Sequence, residues 1–273
     1  MVMSGSAKAI PDTALSLVQT GPVAELVINR PDTRNALTEA MWAQIPDLLS
    51  GLTSDIQVLV IRGRGDHFAS GADISEFDHI FATPERGQAY SRRIADALDA
   101  IAAVPQPTIA AIRGVCIGGG CGLALACDIR LADMTAIFAI TPAKMGLLFP
   151  FNDTRRLVDI VGMPLARDML LTARRVNADE ACRRDLIDHL YEVDSLDQGV
   201  AEYLDRLLAL SPNSLRATKH MLGLAAAGQL ADDNETRKIF ADAFSSEDFR
   251  EGYRAFLEKR KPEFKHSIQG KTK

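Results

Sequence analysis

Two glycine-centred stretches, Phe68-Ala69-Ser70-Gly71-Ala72-Asp73-Ile74 and Gly118-Gly119-Gly120-Cys121-Gly122, can each leave a backbone N–H pointing at one bound oxygen. Glycine lets backbone approach a ligand where a side chain would crowd it. Two such donors aimed at one carbonyl oxygen stabilise the negative charge that develops there, by about 3 to 4 kcal/mol per donor in a site shielded from water. Gly119 stands at the start of a predicted helix, where unpaired N–H groups and the positive end of the dipole strengthen the effect. A glycine run taken alone marks a tight turn or close packing. The competing reading is therefore that both stretches are only strand-to-helix turns.

The elements that would position these stretches are legible from hydrophobic periodicity. Residues 14–18 and 23–29, separated by Gly21-Pro22, read as an antiparallel strand pair. Leu37, Met41, Ile45 and Leu48 recur at helical spacing through 38–52, and Val58-Leu59-Val60-Ile61 suits a strand covered on both faces. A helix over 85–103 leads through Pro105 and Pro107 to a strand at 108–113, then the glycine turn, a helix over 119–126 and strands near 128–132 and 136–139. Strands alternating with helices predict an α/β core over residues 13–195, preceded by a loose tail at 1–12. Pro212 is the only proline between 165 and 261, so 196–273 reads as a helical region. Its apolar residues, among them Phe240, Phe244, Phe249 and Phe256, exceed what a small helical appendage buries within itself.

The 273 residues, 47% hydrophobic and 25% charged, can bury a sizeable core. A net charge of −5 gives no electrostatic reason to expect nucleic acid or an anionic membrane as partner. No apolar run approaches the roughly 18 residues of a membrane span, no signal-peptide core is present at the N-terminus, and cytoplasm is the expected location. Cys116, Cys121, Cys127 and Cys182 lack metal-ligand spacing and read as small buried residues of a reducing compartment.

The order Asn29-Arg30-Pro31, Ser70-Gly71-Ala72-Asp73-Ile74, Ile117-Gly118-Gly119-Gly120, Cys127-Asp128-Ile129-Arg130 and Glu247-Asp248 resembles the crotonase (enoyl-CoA hydratase/isomerase) superfamily over most of the chain. The resemblance implies a spiral of β-β-α units with C-terminal helices used in trimerisation, giving a homotrimer or a dimer of trimers. It implies an acyl-CoA thioester as substrate, with coenzyme A part of that substrate and no separate cofactor. Ala72 and Gly119 match the oxyanion-hole donors. Ser70, Gly71, Asp73 and Ile74 match the loop that receives the adenine, and Arg34 and Ala36 match the pantetheine and phosphate path. Phe240 and Lys259 match C-terminal positions that cover the nucleotide, although a solvated helix charge accounts equally well for Lys259.

Family hydratases carry two glutamates, and the matching positions here are Gly122 and Pro142. Paired carboxylates let one carbon gain a proton while water loses one at its neighbour, so hydration by that route is not expected. The stretch from Phe138 to Gly146 resembles a branch that includes methylmalonyl-CoA decarboxylase, but the tyrosine of that enzyme is matched by Phe149. Asn152, Asp153, Arg155 and Arg156 are read as a loop leading into a helix near the acyl pocket. Asp153 is either an acid/base or an N-cap, and Glu76 is the second acid/base candidate, against a solvated helix face. Arg155 or Arg156 can hold a second substrate carboxylate or lie on an exposed face. Lys144, Thr141, His67 and His79 complete the candidates. The expected function is an acyl-CoA-processing enzyme that stabilises a thioester enolate. The alternatives are a decarboxylase or isomerase of the same superfamily, or a catalytically impaired CoA-thioester-binding protein.

Overall fold

The computed structural model describes residues 13–264; the expected tail at 1–12 and the last residues of the C-terminal region lie outside them. Strands β1 (Leu15–Thr20) and β2 (Val23–Ile28) form the expected antiparallel pair, and helix α1 (Glu39–Ser50) leads to β3 (Val58–Gly63). The short α2 (Phe77–Ile80) and the long α3 (Pro84–Ala103) precede β4 (Thr108–Ile112) and β5 (Val115–Ile117). Helix α4 (Gly119–Ala126), β6 (Ile129–Asp133), β7 (Ile137–Ala139), α5 (Phe151–Thr172), β8 (Val176–Asn177), α6 (Ala178–Arg183) and β9 (His189–Tyr191) complete the α/β core. Four helices follow: α7 (Leu196–Leu208), α8 (Pro212–Ala226), α9 (Asn234–Ser245) and α10 (Glu247–Leu257).

One sheet has the order β1-β2-β3-β4-β6-β9, parallel from β2 onward, and a smaller one has the order β5-β7-β8. Alternation along β3 explains its uninterrupted apolar run. Leu59 and Ile61 join the main core with Trp42 and Ile45 of α1 and Leu98 of α3. Val58 and Val60 point the other way, against Leu196 and Val200 of α7. A strand covered on both faces must be apolar at consecutive positions. Each buried Leu, Ile or Val contributes about 1.5 to 3 kcal/mol, so the register that holds the two glycine loops is strongly fixed.

The thiols are free, with Cys116, Cys121 and Cys127 buried and Cys182 half-buried. Burial pushes the Cys127 thiol up to about 12, consistent with packing rather than reactivity. None of the described helices is long and apolar enough to cross a membrane.

Candidate active site

The first glycine loop is held by two isolated parallel bridges, Leu37 to Ala72 and Ala69 to Cys116. Leu37 N–H donates to Gly71 O at 2.8 Å, and Asp73 N–H donates to Leu37 O at 2.9 Å. A parallel bridge of this kind uses the groups flanking Ala72, so the N–H of Ala72 itself points away from Leu37. It has no hydrogen-bond partner among the described residues. The second donor comes from the start of α4, whose N-cap is Gly118 at φ +55°, ψ −116°, a conformation that favours glycine. Gly118 N–H donates to Ala139 O at 2.9 Å, fixing the turn to β7, while Gly119 N–H is unpartnered among the described residues. Gly71, at φ +98°, lies so near the second loop that a Cβ on it would stand 2.8 Å from Ile117 O and 3.1 Å from Gly119 N. The two loops thus meet backbone to backbone.

Ala72 and Gly119 open onto one cavity of about 450 Å³. Its walls are mostly apolar, with Phe77, Phe81, Ile94, Leu98 and Phe149 among them. Tyr90 lines it too, its hydroxyl pushed up to about 12 chiefly by burial. Among the described residues, the carboxyl group in the lining is that of Asp153, which is 3% exposed.

Asp153 corrects the N-cap reading and the expected loop. Helix α5 begins at Phe151 with Pro150 as its N-cap, so Asp153 to Arg156 are already helical. The Asp153 carboxylate accepts from Arg156 Nη1 at 2.8 Å rather than from a backbone N–H. Its second oxygen lies 3.9 Å from where a Cβ on Gly122 would be, one turn into the helix that Gly119 begins. Burial pushes the Asp153 carboxyl above its ordinary value, opposed by the charge of Arg156 and its hydrogen bond. Arg156 Nη2 reaches Asp99 Oδ1 at 2.5 Å.

The residues matched to CoA recognition fall into two groups. Arg34, Ala36, Ser70, Gly71, Asp73 and Ile74 are brought together: Ser70 N–H donates to Arg34 O at 3.0 Å, Ser70 Oγ donates to Thr33 O at 3.1 Å, and Ser70, Gly71 and Ile74 line the cavity. Asp73 lies behind this edge, accepting from Ser75 and pairing with Arg30 at 2.7 Å. The Ser75 hydroxyl bond, followed by Arg30, holds the Asp73 carboxyl below its ordinary value against the effect of burial. Phe240 on α9 and Lys259 beyond α10 are exposed and lie outside the cavity lining.

Glu76 also lies outside the lining, where it accepts from Glu39 N–H at 2.7 Å and satisfies the start of α1. Burial pushes its carboxyl up, and the charge of Asp73 adds to this. His67 Nδ1 accepts from Val115 N–H at 3.3 Å, and His79 contacts Arg86; neither histidine lines the cavity. Arg155 donates to Ala226 O on α8, and Lys144 is exposed, whereas Thr141 and Pro142 do line the cavity.

Asn35 is a structural support that its residue type alone does not assign to the site. It is fully buried at φ +58°, where Asn is tolerated better than most residues. Its Oδ1 accepts from Arg30 N–H at 2.8 Å, and its Nδ2 donates to Arg64 O and His67 O. Asn35 follows Asp32, Thr33 and Arg34 in a polar turn, so residue type alone does not single it out.

The enoyl-CoA hydratase/isomerase family pattern matches residues 19–267. The chain is 35% identical over 254 residues to the crotonyl-CoA hydratase of Syntrophomonas wolfei subsp. wolfei, covering 89% of this chain and 94% of that one. It is 33% identical over 247 residues to the 2,3-dehydroadipyl-CoA hydratase of Escherichia coli K12, covering 88% and 94%. A crystal structure of an enoyl-CoA hydratase/isomerase family protein from Hyphomonas neptunium superposes with a TM-score of 0.91 at 42% identity, covering 93% of this chain and 98% of that one. With the pattern spanning both glycine loops and the helix that carries Asp153, this chain belongs to the enoyl-CoA hydratase/isomerase family.

Proposed function

We propose that the cavity binds an acyl-CoA thioester, stabilises its enolate through Ala72 N–H and Gly119 N–H, and moves the proton with Asp153. The observation that carries this reading is the convergence of two unpartnered N–H groups and one buried carboxyl group on the same cavity. As a proton leaves C2, charge builds on the thioester oxygen, where preorganised donors act without reorganising. A carboxyl group whose pKa is raised by burial is a better base once ionised.

A single carboxyl group supports a proton shift more readily than hydration. Asp153 takes a proton from C2 of a 3-enoyl thioester, the electron pair delocalises onto the thioester oxygen, and the Asp153 carboxyl, which trades its proton with solvent while the enolate persists, protonates C4 to give the 2-enoyl isomer and regenerate the carboxylate. Atoms and charge balance without water. Gly122 and Pro142, at the positions of the hydratase glutamates, support the same preference. Coenzyme A belongs to the substrate in this reading, and no separate cofactor is required. The exposed Phe240, Phe244, Phe249 and Phe256 support assembly of copies through the C-terminal helices.

The test is incubation with saturated, 2-enoyl, 3-enoyl, 3-hydroxy and malonyl-type CoA thioesters, with products resolved by chromatography and mass spectrometry. A retention shift without mass change, from the 3-enoyl thioester alone, is expected. Gain of water would overturn the proton-shift assignment, and loss of carbon dioxide would replace it with decarboxylation. Tight retention with no product would reduce the protein to a thioester binder, since equal affinity for ground state and enolate gives no rate.

A further inference from the structure

We infer that Arg156 is the positioning residue of this site, clamped between Asp99 on the surface and Asp153 in the cavity so that one Asp153 oxygen is committed to it and the other is left for substrate. The inference rests on the reading of Asp153 as the proton carrier. Asp153 and Arg156 are three residues apart on one helix and therefore share a face. Arg156 Nη1 binds Asp153 Oδ1 at 2.8 Å, and Nη2 binds Asp99 Oδ1 on α3 at 2.5 Å. A guanidinium presents its donors in a rigid plane, so fixing it at Asp99 also fixes the direction from which it approaches Asp153. The remaining oxygen, Oδ2, is turned toward Gly122 on α4. Asp153 is 4% exposed at its side chain, Arg156 21% and Asp99 51%, so the three groups run from cavity to solvent.

The surroundings add little competing charge. From α5 the facing charge is Arg156, and from α3 it is Asp99, with Leu98 and Tyr90 as neighbours in the cavity wall. Helix α4 carries no charged residue, and Lys144, the one charged residue of loop 141–150, is exposed. Arg156 therefore favours the ionised carboxylate, while Asp99 opposes it. Removing each should move Asp153 in opposite directions, an outcome that general loosening of the fold does not produce.

The test combines carboxyl-carbon NMR of aspartate-labelled full chain with pH profiles of kcat on trans-3-hexenoyl-CoA. The Asp153 resonance is identified by its loss in Asp153→Asn. Arg156→Met is expected to raise its titration midpoint by about one pH unit or more, and Asp99→Asn to lower it. The acid limb of the kcat profile should follow both shifts. Arg156→Met should lower kcat at least tenfold with KM little changed, and Arg156→Lys should recover only part of the loss. An Asp153 midpoint indifferent to both changes, or wild-type kcat in Arg156→Met, would overturn the inference. Full activity in Asp153→Asn would instead overturn the underlying reading of Asp153, and the NMR shifts would still show whether Arg156 controls the carboxylate. Should Arg156→Met fail to fold, Arg156→Lys decides: a raised Asp153 midpoint with a partial loss of kcat supports the clamp, and an unchanged midpoint with wild-type kcat refutes it.

Discussion

Gly71 packs against Gly119 so closely that a Cβ on the first would come within 3.1 Å of the backbone nitrogen of the second. The contact joins two strand-to-helix crossings that are 48 residues apart (119 − 71) into one N–H pair. Gly71→Ala meets both a positive φ and the backbone oxygen of Ile117. It should cost about 1 to 3 kcal/mol of stability and lower kcat/KM by about 100-fold through displacement of a donor. Urea unfolding and steady-state kinetics on trans-3-hexenoyl-CoA measure the two effects, and activity should fall further than the stability loss explains.

Asp153→Asn should lower kcat by about 100- to 10,000-fold while the protein remains folded. Its effect on stability depends on pH. Because burial raises the Asp153 carboxyl in the folded protein, the folded state binds this proton more tightly than the unfolded state. Its contribution is therefore most favourable below the unfolded value and is lost as pH rises through the folded value. Asp153→Asn should flatten that part of the stability profile, which denaturant melts across the acidic to neutral range would reveal.

Placing a glutamate at position 122 should not by itself create a hydratase. A Cβ there would lie 3.1 Å from Leu98 Cδ1 and 3.9 Å from Asp153 Oδ2. Gly122→Glu is expected to destabilise the fold by about 1 to 3 kcal/mol through overpacking, and its charge would oppose ionisation of Asp153. The same kinetics with crotonyl-CoA should show no water addition, with recovery of stability when Leu98→Ala is added.

Much of this arrangement was legible in the sequence because its signals are local. The apolar run of β3, the helix over 119–126 and the glycine loops each depend on neighbours within a few residues. The surroundings of Asp153 depend instead on packing among α3, α4 and α5. An aspartate near a helix start reads equally as a cap, and only the start of α5 at Phe151 removes that alternative. Glu76 shows the converse: its position just past the first glycine loop suggested chemistry, yet its carboxylate turns to Glu39 N–H. Asn35 joins Arg30 of its own turn to Arg64 and His67 of the turn after β3, a pairing set by tertiary packing rather than by neighbours in sequence.

The Arg30–Asp73 pair ties the entry to α1 to the first glycine loop, because Arg30 Nη1 also donates to Ala36 O at 2.7 Å. The pair is mostly buried, so Asp73→Asn should cost about 1 to 3 kcal/mol and raise KM for CoA thioesters more than it lowers kcat. The Asp73 carboxyl is held below its ordinary value, so its contribution is present above the unfolded value and disappears as pH falls through the folded value. Acid unfolding of the wild type should therefore show a component that Asp73→Asn lacks.

Deuterium incorporation from D2O into trans-3-hexenoyl-CoA, followed at C2 and C4 by NMR and mass spectrometry, tests the enolate most directly. The wild type should exchange at C2 and form the 2-enoyl isomer, with both signals lost in Asp153→Asn and strongly reduced in Gly119→Pro, which removes one donor. No exchange by the wild type, or equal exchange in Asp153→Asn, would contradict the assignment of the cavity as an enolate site served by Asp153.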